Sequence, residues 1–426
     1  MSNKSSKIKN IYAREILDSR GDPTIETMIE LENGISAKAS VPSGASKGIY
    51  EALELRDNDL KRYNGKGVLL ACKNVNTKIV RVLKGISIKE QQLIDQKMIE
   101  LDGANNKSNL GANAILSVSL ACARVAAKSQ NMELYKYLSI SYKLRTTSYK
   151  LPIPMFNIFN GGKHADTNLD FQEFMLLPSQ NKFKEMVRMG AEIFYKLKDV
   201  LLERGYDTDV GNEGGYAPDI SSNKEAIEII LEAIKKTKYQ VGKNVFLGMD
   251  AAASEFYNQE KNKYLLKADN LILSRQELIN LYLDWIKKYP IILIEDPLEQ
   301  DDWEGWNKIN LKFKIQNSKT IVVGDDFFAT NIDRLKKGIK QKCANAILIK
   351  LNQIGTLTET IECIKLAKKN NYKIIISHRS GETCDDFIAD LAVAVNADYI
   401  KAGSLSRGER LSKYNRLMEI EEMFKK

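Results

Sequence analysis

Six residues able to do acid–base or metal chemistry each stand at the end of a short apolar run in the later part of the chain. The runs are VFLGM, IILI, TIVVG, AILI, IIIS and YI, and the residues that follow them are Asp250, Glu295, Asp325, Lys350, His378 and Lys401. One such residue means little, because every strand must end in something polar. Six in succession, all of catalytic or ligand type, predict a functional site where these runs end.

The three carboxylates of this series predict a site for a hard divalent cation. Asp250, Glu295 and Asp325 offer oxygen ligands without Cys or His, which favours Mg²⁺ or Mn²⁺ over zinc. Lys350 is normally protonated and a poor base. A second cation nearby, for which Lys401 is the candidate, lowers the pKa of such a lysine and makes it a usable base.

A donor group for an anion follows directly after the histidine. Arg379 and Ser380 come next to His378 and together offer donors suited to a phosphate. A metal, a base and an anion clamp at one place predict proton abstraction next to a carboxylate. The metal would stabilise the enediolate that forms.

A second group of candidates lies earlier in the chain. His164 ends the segment NGGKH, Gln172 and Glu173 open a predicted strand, and Glu213 stands between glycines in the segment GNEGG. Glu213 is either a solvated turn residue or a general acid for a leaving group. His164 alone would more often be a structural histidine, but it and His378 are the two histidines of the chain.

The spacing of the apolar runs predicts the elements that position these groups. Successive residues of the series are 23 to 45 positions apart, which accommodates a strand, a loop and an amphipathic helix. Continuous apolar strands that alternate with helices are typical of a parallel sheet covered on both faces or closed into a barrel. In a closed barrel the six residues would meet at one mouth.

The N-terminal part predicts a smaller α+β domain. Residues 24–32 and 35–41 alternate apolar and polar side chains on either side of Asn33-Gly34, which is a hairpin signal. Helical patterns follow at 66–84, 89–101 and 109–128. A polar stretch, SISYKLRTTSYK, then predicts the boundary, with domains at residues 1–138 and 139–426.

The composition is that of a globular protein and excludes several other classes. The 426 residues are 43% hydrophobic, and five widely spaced cysteines argue against a disulfide framework or structural zinc. We expect a cytoplasmic protein with no membrane span, because no apolar segment suits a signal peptide or a spanning helix. The net charge of +9 comes from lysines scattered beside glutamates, which gives no reason to expect nucleic-acid binding as a primary role.

Several longer stretches match a known family in order and spacing. The earlier ones are AREILDSRGDPTIE, VPSGASKGIYEALELRD, NGGKHAD, FQEFML and VGNEGGYAP. The later ones are GMDAAASEFY, IEDPLEQDDW, VGDD, ILIKLNQIGTLTET, SHRSGET, IADLAVA and IKAGSLSRGERLSKYNRL. On these motifs the chain resembles the enolase family, and its bacterial members in particular, along almost its whole length.

The resemblance implies a fold, a reaction and an assembly. The implied fold is a small N-terminal α+β domain and an eight-stranded β/α barrel that begins with an irregular antiparallel strand pair. The implied reaction is that of the glycolytic lyase phosphopyruvate hydratase, the reversible dehydration of 2-phosphoglycerate to phosphoenolpyruvate with two Mg²⁺ per active site. The implied assembly is a homo-oligomer, either a dimer or an octamer of dimers.

The family's residue roles carry over to the matching positions of this sequence. Lys350 would take the C2 proton, and Glu213, with Glu173 beside it, would assist departure of the C3 hydroxyl. The metal ligands implied are Ser46 for the second ion and Asp250, Glu295 and Asp325 for the first. The groups implied around the substrate are His164, Gln172, Glu173, Glu295, Asp325, His378, Arg379, Ser380 and Lys401.

Two positions depart from the family's usual pattern. Lys47 replaces a threonine next to Ser46, and Asn212 replaces an aspartate next to Glu213. Lys47 either weakens binding of the second metal or approaches the substrate phosphate; equally, its long side chain points to solvent. Asn212 is expected to lower the pKa of Glu213, because a like charge beside it is lost.

Two alternatives to this function stay open. Another lyase or isomerase of the enolase superfamily, such as a racemase or cycloisomerase, would share the barrel carboxylates but lacks the SGAS and SHRSGE motifs. The resemblance also raises an added role, either plasminogen binding by a cell-surface or secreted pool or membership of an RNA-degrading assembly. The terminal Lys425-Lys426 would suit plasminogen, although two such lysines are more often a solvated helix end.

Overall fold

A computed structural model describes residues 6–44, 48–144, 148–315 and 319–424. The strands are β1 (Ile8–Leu17), β2 (Pro23–Leu31), β3 (Ser36–Ser40), β4 (Ile153–Asn160), β5 (Glu173–Pro178), β6 (Val245–Asp250), β7 (Tyr257–Asn258), β8 (Lys263–Leu266), β9 (Leu271–Leu273), β10 (Ile291–Glu295), β11 (Ile321–Gly324), β12 (Ala346–Ile349), β13 (Lys373–Ser377) and β14 (Tyr399–Lys401). Ser46, Lys47 and Lys425-Lys426, to which the sequence assigns roles, lie outside the described residues.

Helices account for about half of the remaining described chain. The α-helices are α1 (Leu69–Asn74), α2 (Val80–Leu83), α3 (Gln91–Asp102), α4 (Ala112–Ser129), α5 (Leu134–Ser141), α6 (Phe183–Glu203), α7 (Asn223–Lys235), α8 (Arg275–Lys288), α9 (Trp303–Ile315), α10 (Ile332–Gln341), α11 (Leu351–Ile354), α12 (Leu357–Lys369), α13 (Phe387–Ala394) and α14 (Gly408–Met423). Short 3₁₀ turns lie at Tyr63–Gly65, Gly162–His164 and Ala253–Phe256, and a π turn lies at Val75–Ile79. Across the described ranges, no helix is long and apolar enough to span a bilayer.

The N-terminal part is a three-stranded antiparallel sheet, β1–β2–β3, with α4 packed against it. The predicted hairpin is β2 and β3, and Gly34 has a φ of +85°, which glycine adopts without a steric penalty. Helix α4 is almost wholly buried, as its content of Ala, Ser and Leu predicts. Thr27 and Ser117 join sheet and helix through a buried hydroxyl hydrogen bond of 2.6 Å.

The C-terminal part is a closed eight-stranded barrel. Its strands follow the order β4, β5, β6, β10, β11, β12, β13 and β14. Strand β5 runs antiparallel to both neighbours, and the other neighbouring pairs are parallel. The interior is filled by apolar side chains, namely Met155, Met175, Leu177, Leu293, Val323, Ala346, Leu348 and Ile375. The predicted fold, a β/α barrel with an antiparallel start beside a smaller α+β part, is therefore confirmed.

Two features of the fold are additions to the prediction. The small antiparallel sheet β7–β8–β9 lies between β6 and α8, which explains why the interval from Asp250 to Glu295 is the longest of the series. Its strands have two to four residues, too few to show a periodicity. The helix predicted at 66–84 is interrupted by the π turn. The domain division predicted after residue 138 falls within α5 and stays a prediction.

Candidate active site

The predicted chemical groups lie at the carboxyl ends of the barrel strands. The last residues of β6, β10 and β14 are Asp250, Glu295 and Lys401. The residues that directly follow β11, β12 and β13 are Asp325, Lys350 and His378. Lys350 is half-buried and the other five are buried. Because β5 is antiparallel, its first residue, Glu173, lies at the same mouth and pairs with Asp250 across the two strands.

Lys401 stands at the centre of a buried charge cluster. Its Nζ lies 3.0 Å from Asp250 Oδ2, 2.8 Å from Glu295 Oε1 and 3.1 Å from Glu173 Oε1. Burial opposes the charge on Lys401, but the three carboxylates outweigh burial and raise its pKa well above the ordinary value. Burial and the charge of Asp250 raise the pKa of Glu295 in turn. One ammonium group cannot balance three carboxylates, so the cluster favours a further cation.

The donor set of the mouth fits a hard divalent cation. Glu295 Oε2 is buried and has no hydrogen-bond partner in the part of the chain that the structure describes. A buried carboxylate oxygen of this kind is costly unless a cation or a donor reaches it. A second compact group consists of Asp296, Asp325 and Asp326, whose ligand oxygens all lie within 4.8 Å of one another. Both groups offer carboxylate oxygen, which Mg²⁺ prefers as a ligand.

Lys350 is held by the third predicted metal ligand. Its Nζ donates a short hydrogen bond to Asp325 Oδ2, while Gln353 Nε2 donates to Asp325 Oδ1 at 3.0 Å. Burial lowers the pKa of Lys350, but Asp325 outweighs burial, and the net shift is upward. Arg379 and Lys401 act in the other direction, since each disfavours a further positive charge nearby.

Arg379 pairs with a carboxylate from the N-terminal part of the chain. Its Nη1 and Nη2 donate to Glu51 Oε2 and Oε1 at 2.9 and 3.1 Å, and Nη1 also donates to Asn352 Oδ1 at 3.0 Å. Glu51 raises the pKa of Arg379 and more than offsets its burial. The neighbouring Ser380 is buried at the same cavity. The anion-binding group that the sequence predicts is therefore held in place by a residue that the sequence did not suggest.

Two histidines and two glutamates form a connected series on the other side of the mouth. His164 Nδ1 lies 3.3 Å from Glu173 Oε1 and 3.5 Å from Glu213 Oε1. His378 Nε2 lies 3.3 Å from Glu213 Oε2, which also accepts a hydrogen bond of 3.0 Å from Asn157 Nδ2. Each histidine of the chain therefore contacts Glu213, and His164 bridges the two carboxylates.

The four groups differ in how strongly they hold a proton. Burial opposes the charge of Glu213, but His164 and His378 outweigh it and hold the pKa of Glu213 well below the usual range. Burial and the charge of Glu213 raise the pKa of Glu173 to about 7. Burial lowers the pKa of His378 to about 3, whereas Glu213 and Glu173 overcome burial and raise the pKa of His164. Burial and neighbouring charges thus push the pKa values of the two carboxylates in opposite directions, so that Glu213 holds a proton less firmly than Glu173.

One cavity brings most of the predicted residues together. It is lined by His164, Gln172, Glu173, Glu213, Asp250, Asp325, Lys350, His378, Arg379, Ser380 and Lys401, with Asp296 and Asp326 beside them. Glu295 reaches this group through Lys401, and Ser46 lies outside the described residues. Sequence reasoning missed Asp296 and Asp326, although each directly follows a predicted ligand in the sequence, and that adjacency was the available signal.

Comparison with known proteins agrees with this geometry. Residues 8–138 match the family model described as "Enolase, N-terminal domain", and residues 148–426 match "Enolase, C-terminal TIM barrel domain". The chain belongs to the enolase family. It is 54% identical over 418 residues to the protein named "Enolase" from Natranaerobius thermophilus, across 98% of this chain and 95% of that one. The predicted enzyme class, a phosphopyruvate hydratase of the carbon–oxygen lyases, is confirmed by this membership.

Proposed function

We propose that the chain catalyses the glycolytic dehydration of 2-phospho-D-glycerate to phosphoenolpyruvate, reversibly, with Lys350 as the base at C2. Glu213, with Glu173 beside it, assists departure of the C3 hydroxyl. The observation that carries this proposal is that Lys350 and Glu173 lie on opposite sides of the barrel mouth. In the closed barrel, β12 and β5 lie four strands apart in either direction, so Lys350 and Glu173 face each other across the mouth. A substrate between them can lose a proton to one side and hydroxide to the other.

The charged groups around Lys350 shift its pKa in both directions. Lys350 must be deprotonated to act as a base, so its neighbours must not stabilise the protonated ammonium form too strongly. Burial, Arg379 and Lys401 lower the pKa of Lys350, but Asp325 outweighs them and the net shift is upward, so a cation held by Asp325 would be needed to weaken that opposing effect. A C2 proton next to a carboxylate is weakly acidic, so the charge that develops on removing it also needs stabilisation. Lys401, buried among the barrel carboxylates, supplies positive charge on that side of the mouth.

The mouth is also suited to the cofactor that the family uses. We propose that Asp250, Glu295 and Asp325 hold one Mg²⁺ and that Ser46 contributes to a second. When bound, such ions neutralise negative charge on the substrate carboxylate as the enediolate forms. The support lies in the all-oxygen donor set and in the buried, unpartnered Glu295 Oε2.

The remaining residues orient the substrate. Arg379 and Ser380 bind the phosphate, since a guanidinium fork and a hydroxyl match its oxygens. His164, Gln172 and His378 lie around the carboxylate and the hydroxyl. Gln172 is buried, and its Oε1 has no hydrogen-bond partner among the described residues, which leaves that acceptor to a ligand hydroxyl.

Two readouts, product formation and isotopic exchange at C2, separate the role of the base from that of the acid. Purified protein is supplied with 2-phosphoglycerate and Mg²⁺, and phosphoenolpyruvate is followed by its ultraviolet absorbance, while exchange of the C2 proton with deuterated water is followed by NMR. We expect Lys350→Ala to lose both exchange and dehydration. Glu213→Gln should keep C2 exchange and lose dehydration. Exchange that persists in Lys350→Ala, or a parent that turns over only a phosphate-free carboxylate as a racemase or cycloisomerase would, contradicts the proposal.

Three further expectations, one from the resemblance and two from the sequence itself, are carried as proposals. The chain works as a homo-oligomer in the cytoplasm, and its domains divide at 1–138 and 139–426. Size-exclusion chromatography with light scattering tests the first, because a monomer at working concentration would contradict it.

A further inference from the structure

A buried arginine lies behind the active site and contacts two of its segments. Arg410, on α14, is fully buried. Its Nη1 lies 2.7 Å from His378 Nδ1 and donates to the carbonyl oxygen of Arg379 at 2.7 Å. Its Nη2 donates to the carbonyl oxygens of Ser380 at 2.5 Å and Asn212 at 2.9 Å. One guanidinium thus joins the segment His378-Arg379-Ser380 to the segment that carries Glu213.

The contact with the histidine has one chemical interpretation. A guanidinium has donors and no acceptor, and it does not lose its proton in proteins. His378 Nδ1 must therefore accept, and the ring proton of the neutral imidazole must sit on Nε2. Nε2 is buried, lies 3.3 Å from Glu213 Oε2, and has no well-formed hydrogen bond to any described residue. His378 and Glu213 line the same cavity, so a proton on Nε2 lies beside Glu213 there.

We propose that Arg410 is a positioning residue of this site, which fixes His378 as the tautomer with its proton on Nε2 and so makes His378 a hydrogen-bond donor, not a base. The inference rests on the proposed function, because the donor lies beside Glu213, the group that assists departure of the hydroxyl. The burial of His378 supports it independently, since burial keeps the imidazole neutral and Arg410 adds to that effect. In such a neutral ring the position of one proton decides which nitrogen donates.

The backbone around the arginine is shaped to admit it. A Cβ at Gly403 would lie 2.6 Å from Arg410 Cδ and 2.8 Å from the carbonyl oxygen of Glu213, and Gly403 has a φ of +84°. Both the space and the conformation require glycine there. Arg407, three residues earlier, offers a matched comparison. It donates to the carbonyl oxygens of Ser19 at 2.5 Å and Gly211 at 3.4 Å, and none of its described bonds involves His378.

The test is a direct observation of the imidazole. The chain has two histidines, so protein labelled with ¹⁵N and ¹³C at histidine gives two ring spin systems, assigned with His164→Gln. We expect His378 in the parent protein to show a single tautomer, protonated at Nε2 and unprotonated at Nδ1, near neutral pH. A proton on Nδ1, or an even mixture of tautomers, overturns the inference without any variant. Hydratase activity of the same sample is measured separately, so an active parent with the wrong tautomer refutes this inference and leaves the proposed function standing.

Variants then test whether Arg410 determines the tautomer of His378. In Arg410→Met we expect the single tautomer to be lost, while Arg407→Lys keeps it. Arg410→Lys retains a donor at this position, so the proposal can still be tested if Arg410→Met does not fold. We expect Arg410→Lys to keep the tautomer and most of kcat, whereas Arg410→Met should lower kcat by about 10–100-fold with little change in KM, the usual cost of losing an orienting partner of a functional histidine. An unchanged tautomer in a folded Arg410→Met, or an equal loss of kcat in Arg407→Lys, contradicts the proposal.

Discussion

Substitution of Glu51 by glutamine tests whether the carboxylate that holds Arg379 stabilises the mouth of the barrel. Glu51 and Arg379 form a bidentate pair at 2.9 and 3.1 Å, and their side chains are 8% and 4% exposed. Removing one partner of a buried ion pair costs about 3–5 kcal/mol, because the other charge stays buried without compensation. Glutamine keeps one acceptor oxygen, so we expect the free energy of unfolding to fall by about 3 kcal/mol, the lower end of that range.

A surface pair provides the control for this measurement. Glu30 accepts from Lys9 at 2.6 Å, with side chains 34% and 56% exposed, and such exposed pairs contribute about 0–1 kcal/mol. Urea unfolding of the parent, Glu51→Gln and Glu30→Gln therefore compares the same chemical change in two environments. If Glu51→Gln loses no more stability than Glu30→Gln, the buried pair contributes nothing measurable and the reasoning is wrong.

The same pair of variants examines the phosphate role of Arg379. A ligand phosphate brings Arg379 the negative charge that Glu51→Gln has lost. A ligand that binds the native state stabilises it by RT ln(1 + L/Kd), where L is the free ligand concentration, so tighter binding gives more stabilisation. We therefore expect 2-phosphoglycerate to stabilise Glu51→Gln more than it stabilises the parent or Glu30→Gln. Equal stabilisation of all three proteins would refute phosphate binding at Arg379.

Three other predictions concern the base, the metal and the pH dependence of stability. Lys350→Ala should lower hydratase activity by at least the roughly 10²–10⁴-fold typical of a general base, with an unchanged circular dichroism spectrum; a smaller loss would count against Lys350. Chelation should abolish phosphoenolpyruvate formation, and Mg²⁺ should restore it better than Zn²⁺, because the implied barrel ligands of the first ion are carboxylates. Burial lowers the pKa of His378 to about 3 in the folded chain. Below about pH 6.5 the His378 side chain therefore binds a proton in the unfolded chain but not in the folded one. Between pH 6 and 4 the parent should therefore lose about 1.4 kcal/mol of stability per pH unit more than His378→Asn does, measured by urea unfolding; parallel curves would contradict it.

The barrel and its mouth could be predicted from the sequence because the relevant signal is local. Each strand is a short apolar run, and the residue at its end is adjacent in sequence, so Asp250 or Lys350 needs no distant information to be placed. Parallel strands then present the same ends together, which converts six local patterns into one site. The antiparallel direction of β5 could not be predicted from the apolar pattern, because an apolar run does not indicate the direction of its strand. That direction was predicted from the family resemblance.

The partners that hold the site could not be predicted in this way. Glu51 and Arg379 are 328 positions apart, and Arg410 lies 198 positions from Asn212. Nothing in the periodicity of either segment indicates the other, because these contacts depend on how the N-terminal part and α14 pack on the barrel. The residues that position the chemistry are thus less visible in a single sequence than the residues that perform it.

The two histidines illustrate how position determines what one residue type does. His164 lies between Glu173 and Glu213, and both carboxylates raise its pKa against burial, so it favours the charged form. His378 lies between Glu213 and Arg410, and burial together with the arginine keeps it neutral. One histidine therefore offers a positive charge to the carboxylate pair, and the other offers a single directed hydrogen bond. The two carboxylates beside these histidines have pKa values shifted in opposite directions, downward for Glu213 and upward for Glu173, and both histidines lower the pKa of Glu213.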